Sequence, residues 1–188
     1  MDFDYSEEQR LLADTLKRFL ASHYTLDARA KIVASEAGYS EEVWGAFAEM
    51  GLLGLPYGTE YGGLGGTTVD VMVVMEALGE GLVVEPYLST VGLGGQCIAR
   101  GGTEAQKQRI LPAVVQGQAK LALAQTEVGA RYNLSHVTTR ARRAGEGWVL
   151  DGEKRAVLHG GCADLLVISA RTVGSETDPR GISLFLIE

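Results

Sequence analysis

Chemistry in this 188-residue chain would have to come from a short set of side chains. Thr126-Glu127 places a hydroxyl beside a carboxylate, directly after Gln125. A carboxylate beside a polar group can serve as a general base. A threonine that ends a strand is equally a structural residue, and Glu127 is read here as structural. Arg140, Arg142 and Arg143 carry guanidinium forks suited to phosphate. On an alternating strand such residues more often make a solvated face. The loop Gly62-Gly63-Leu64-Gly65-Gly66 could pass for a phosphate cradle. It lacks the Gly-Lys-Ser/Thr of a P-loop and follows no strand, so a turn is expected. His23, His136 and His159 have no ligand spacing to one another, and His159 reads as a loop residue. Cys97 and Cys162 form neither a CxxC motif nor a metal-type pair. Two buried, reduced thiols and no metal site are the expectation.

The elements that must position these residues fall into two halves. Ser6-Glu7-Glu8-Gln9 has capping-box form, and Leu12, Leu16, Phe19 and Leu20 then recur at helical spacing. A second helix starts at Ser40, with Val43, Trp44, Phe47 and Met50 on its apolar side and Gly51 placed to stop it. A third is capped by Thr67 or Thr68 and runs to about Gly79. A fourth spans Pro86 to Arg100. Thr103-Glu104-Ala105-Gln106 is a second capping box, opening a helix that Pro112 ends or kinks. From Lys120 the period shortens. Strands are predicted over Lys120–Thr126, His136–Arg143, Trp148–Leu150, Glu153–Leu158, Leu165–Arg171 and Gly181–Ile187. Turns are predicted at Gly145-Glu146-Gly147 and at Asp151-Gly152, the latter as a hairpin. Helices first and strands second argue for an α+β fold, with a helical domain over 1–119 and a β domain over 120–188.

Composition narrows the function classes. Hydrophobic residues are 46% and charged residues 22%, which excludes a disordered chain. The 25 glycines fall in clusters without a Gly-X-Y period, so they mark turns, not collagen. Net charge is −7, unfavourable for a nucleic-acid partner. The charge is uneven: residues 1–119 hold 16 acids and 8 bases, residues 120–188 hold 8 acids and 9 bases. No apolar run approaches the roughly 18 residues that span a membrane. The start, Met1-Asp2-Phe3-Asp4, is acidic and unlike a signal peptide, so a cytoplasmic protein is expected. The apolar strand Ile182–Ile187 lies at the end of the sequence and needs neighbours on both sides.

Three ordered stretches resemble the acyl-CoA dehydrogenase family. They are Met50–Pro56 with Glu60–Gly66; Ala122–Ala130; and Gly147–Lys154 followed by Gly160–Asp164 and Ser169–Thr172. The opening Asp4–Gln9 also fits. Val84–Leu88, Ala130–Tyr132 and Val157–Gly160 resemble a subgroup, the small subunit of pimeloyl-CoA-type dehydrogenases. The resemblance implies an N-terminal helical domain and an incomplete antiparallel β-barrel, with the family's C-terminal four-helix domain absent. It also implies FAD, an acyl-CoA substrate, an electron-transfer acceptor and a homo- or hetero-oligomer. Carried over by position, Leu123, Gln125, Thr126, Ala156 and Leu158 would bind the cofactor, and Arg131 and Tyr132 the substrate. The family's catalytic glutamate has no counterpart here, so no catalytic residue is assigned. The chain also departs from the pattern. Val128 replaces a proline, Arg131-Tyr132 a Gly-Ser pair, and Ala156-Val157-Leu158 a Trp-Ile-Thr. Non-catalytic roles, as a partner subunit or an N-terminal fragment, are the alternatives.

Overall fold

The computed structural model describes residues 4–188; Met1–Phe3, part of the acidic start, lie outside the described residues. The chain divides into two compact units between Ala119 and Lys120.

The first unit is helical. Ser6 caps α1 (Glu7–His23) in a reciprocal box: its hydroxyl accepts from the Gln9 N–H and its own N–H donates to the Gln9 side chain. Leu16 and Leu20 on α1 are buried. A helix absent from the sequence reading follows, α2 (Leu26–Ala34), capped by Thr25. None of its residues is buried, so it lacks the apolar stripe by which helices are recognised. Ser40 caps α3 (Glu41–Glu49), which buries Val43, Trp44 and Phe47. Gly51 ends it in the left-handed conformation, φ 75°. Thr67 and Asp70 form the capping box of α4 (Thr68–Glu80). The glycine loop before it spends its amides internally. Gly63 N–H donates to Gly58, Leu64 to Gly54, Gly65 to Tyr57 and Gly66 to Leu55. That loop is a turn with no amides left to cradle phosphate.

The expected Pro86–Arg100 helix is a π-helical stretch, Leu88–Gly94, running into α5 (Gly95–Gly101). Tyr57 lies against it, donating its hydroxyl to Val91 O at 3.1 Å. A side chain at Gly95 would stand 1.9 Å from that hydroxyl. Thr103 and Gln106 cap α6 (Glu104–Val115). Pro112 lies inside α6 without ending it, and the Gln116 N–H still donates to its carbonyl. Cys97 and Cys162 form no disulfide and are half-buried, more open than the buried thiols expected.

The second unit is a five-stranded mixed sheet of β1 (Leu121–Ala124), β2 (Arg140–Ala144), β3 (Gly147–Asp151), β4 (Leu165–Arg171) and β5 (Ile182–Ile187). β4 is its centre. It pairs parallel with β1 and, at Arg171, with β2, and antiparallel with β5. β2 and β3 form an antiparallel hairpin whose turn contains Gly145, φ 59°. Arg140, Arg142 and Arg143 are exposed on it, with Arg143 5.2 Å from the Trp148 ring centre.

Three local expectations fail. Glu153–Leu158 is not a strand. Ala156 takes φ 49°, which an extended ladder does not accommodate, and Arg155 gives its N–H to Thr126 O. Asp151-Gly152 is not a hairpin turn, because β3 leads from there into this irregular segment. Gly152 packs closely on Thr139: an added Cβ would meet its hydroxyl oxygen at 2.5 Å. The strand expected from His136 begins only at Arg140, since Thr138 and Thr139 give their N–H groups to Glu127.

Candidate functional site

β1 ends at Ala124, and the chain beyond it has no ladder to follow. Its position is fixed instead by one carboxylate. Glu127 is 4% exposed and accepts two hydrogen bonds on each oxygen. Oε2 takes the Thr138 N–H at 2.6 Å and the Thr138 hydroxyl at 2.5 Å. Oε1 takes the Thr139 N–H at 3.0 Å and Lys154 Nζ at 2.6 Å. Lys154, its side chain 8% exposed, also donates to Ser169 Oγ on β4 at 3.0 Å. Burial pushes the Glu127 carboxyl up. The hydrogen bonds from Lys154, Thr138 and Thr139 outweigh that effect and hold it well below its ordinary 4.5. A carboxylate so stabilised is a poor proton acceptor near neutral pH. These four bonds let Glu127 fix the course of the chain after β1.

The same arrangement brings together the stretch after β1 and the segment after β3. Gln125 and Thr126 are exposed just past β1. The Thr126 carbonyl accepts the Arg155 N–H at 2.9 Å, which sets Arg155–Leu158 alongside. Among the described residues, the Thr126 hydroxyl, the Gln125 side chain and the N–H groups of Ala156, Val157 and Leu158 have no protein partner. Ala156 and His159 bracket those amides with positive φ, 49° and 55°. Non-glycine residues held in that region are strained, and such strain clusters at ligand sites. The result is one hydroxyl, one carboxamide and three free amides in linked segments, bordered by the exposed Leu158. This set can receive a polar, hydrogen-bonding ring edge.

The other predicted residues are placed differently. Leu123 is half-buried within β1, opposite Val167. Arg131, φ 50°, and Tyr132, fully exposed, lie on the turn after Gly129. No hydrogen bond joins either of them to Thr126 or Ala156. The Ala156-Val157-Leu158 segment supplies neither aromatic ring nor hydroxyl. Sequence reasoning missed Lys154, Ser169, Thr138 and Thr139 as a group. The one local signal is a lysine inside the strand predicted over Glu153–Leu158, and it names no partner. Among the described residues, no cluster of three or more His, Cys, Asp or Glu could hold a metal.

Comparison with known proteins extends these observations. Residues 6–118 match the model of the acyl-CoA dehydrogenase N-terminal domain, and residues 122–188 that of the acyl-CoA dehydrogenase middle domain. Mitochondrial isovaleryl-CoA dehydrogenase of Pongo abelii is 31% identical over 186 residues, covering 97% of this chain and 44% of that protein. Among solved structures, the FAD complex of PigA superimposes with a TM-score of 0.86 at 27% identity, covering 100% of this chain and 49% of that one. The ChsE4-ChsE5 complex from Mycobacterium tuberculosis gives a TM-score of 0.86 at 26% identity, covering 100% and 48%. The chain thus spans about half the length of the proteins it resembles.

Proposed function

The chain belongs to the acyl-CoA dehydrogenase family, and from that premise we propose that it forms part of an FAD-dependent enzyme removing hydrogen from the α and β carbons of an acyl-CoA thioester. The observation that carries this reading is the alignment of Thr126 with Ala156–Leu158 by the Arg155–Thr126 hydrogen bond. The isoalloxazine edge carries carbonyl oxygens and ring nitrogens that seek donors and one N–H that seeks an acceptor. The Thr126 hydroxyl, the Gln125 carboxamide and the free amides of Ala156, Val157 and Leu158 match that chemistry. Leu158 offers an apolar wall in place of an aromatic one. When bound, FAD supplies the acceptor for the β-hydride. This chain's residues hold and orient the ring.

No group in this site is the base. Glu127 is spent on four donors, so α-proton removal requires a carboxylate from outside these residues. That agrees with a chain spanning half of its relatives, working as a small or partial subunit in a homo- or hetero-oligomer. Arg131 and Tyr132, exposed beyond the flavin segments, would meet the substrate from their turn. A soluble electron carrier would accept the electrons onward. No described helix is long and apolar enough to cross a membrane, and a cytoplasmic setting belongs to the proposal.

The test is the visible spectrum of the purified protein with its co-purifying partners. Flavin bands that bleach on anaerobic addition of an acyl-CoA are expected. A complex whose flavin no acyl-CoA bleaches would defeat the reading. A second reading draws on the missing ring and hydroxyl of Ala156-Val157-Leu158: the chain shapes another subunit's site and holds no flavin itself. Flavin counted per copy of this chain separates the two.

A further inference from the structure

We propose that the Glu127–Lys154 ion pair is the positioning element of the flavin-facing site, setting Gln125–Thr126 and Arg155–Leu158 in one register so that their free donors face a single ligand. This rests on the flavin reading above. Glu127 follows Thr126 in the chain, and Lys154 precedes Arg155. The ion pair at 2.6 Å and the Arg155 N–H to Thr126 O bond at 2.9 Å therefore close a small ring through both segments. Neither segment belongs to a strand, so no ladder performs this task for them. The second Lys154 bond, to Ser169 Oγ at 3.0 Å, anchors the ring to β4, the centre of the sheet. Thr138 and Thr139 fill the remaining acceptor positions of Glu127, which fixes the carboxylate plane as well as its position. A donor set displaced by about 1 Å loses much of its effect on a bound ring, so the pair governs a site it does not touch.

The experiment uses the full chain with its co-purifying partners and three variants: Lys154→Met, Lys154→Arg and the milder Thr138→Val. Amide exchange is followed residue by residue, and FAD affinity is measured by quenching of flavin fluorescence. Both are recorded at a temperature where circular dichroism shows each variant folded. In Lys154→Met the Arg155 amide should exchange at least tenfold faster, while amides in the middle of β4 and β5 keep their wild-type rates. The dissociation constant for FAD should rise at least tenfold. Lys154→Arg should restore most of both, and Thr138→Val should fall between. If Lys154→Met does not fold, Thr138→Val decides by the same two readouts. Unchanged Arg155 exchange overturns the proposal. So does an acceleration spread evenly over the sheet, which marks general destabilisation, and so does unchanged FAD affinity. A wild-type complex that binds no FAD refutes the flavin reading instead. The exchange data then still decide whether the ion pair holds the two segments together.

Discussion

Replacing Arg171 by lysine should destabilise the β unit by several kcal/mol although the charge is kept. Arg171 is 1% exposed at the end of β4. Its guanidinium donates to five backbone carbonyls: Val137 through Nε at 3.1 Å, Val173 and Arg180 through Nη1 at 3.4 and 2.9 Å, and Ser135 and Glu176 through Nη2 at 2.8 and 3.1 Å. A guanidinium has five N–H donors and an ammonium three. At least two of these five bonds must therefore be lost in Arg171→Lys. A hydrogen bond to a charged group contributes about 1.5–3 kcal/mol, giving about 3–6 kcal/mol for two. Whole domains are stable by roughly 5–15 kcal/mol, so the effect is large. The assay is urea unfolding followed by tryptophan fluorescence. Each unit holds one of the two tryptophans, Trp44 and Trp148. In a Trp44→Phe background, Trp148 reports the β unit alone. Its midpoint should fall by roughly 1 M urea or more. A shift under about 0.3 M with an unchanged slope would refute the reasoning, and would mean that water or lysine satisfies the carbonyls at little cost.

Further outcomes follow from other residues. The Glu127 carboxyl lies below its ordinary 4.5 in the folded chain, so its contribution to stability is complete above about pH 5 and is lost as pH falls toward the lowered folded value. Urea midpoints between pH 5 and pH 2 should therefore decline more steeply for the wild type than for Glu127→Gln. Gly181→Ala should cost roughly 1–3 kcal/mol in the same assay, because Gly181 has φ 82° and an added Cβ would stand 2.3 Å from Val173 O. Thr103→Ala removes the hydroxyl that accepts from the Gln106 N–H and should cost about 1 kcal/mol, read on Trp44.

What the sequence discloses depends on the range of the interaction. Capping boxes at Ser6 and Thr103 involve residues three apart, so type and spacing reveal them. α2 escapes because it buries nothing, leaving no periodic signal. Glu153–Leu158 misleads because its residue types suit a strand, while two distant groups, Glu127 and Thr126 O, claim Lys154 and the Arg155 amide. The pairing of Thr126 with Ala156–Leu158 came from family resemblance, not from any local pattern. Arg171 reads as an ordinary strand-end arginine, and its five carbonyls come from segments on both sides of it in sequence. Turn chemistry was legible at Gly145 but not at Gly152, where packing on Thr139 decides the conformation.

β5 pairs with β4 along one side, and among the described residues no strand lies on the other. Its sequence, Ile182-Ser183-Leu184-Phe185-Leu186-Ile187, has no charge and no proline. Such a border is a template for stacking between molecules. Colloidal behaviour is then a matter of reaction order. Association of two such borders scales with the square of concentration, so dilute preparations last where concentrated ones cloud. Turbidity would grow first at the concentrator membrane, and a charged residue at Leu184, which is 53% exposed, would extend shelf life without altering Gln125–Thr126 or Ala156–Leu158.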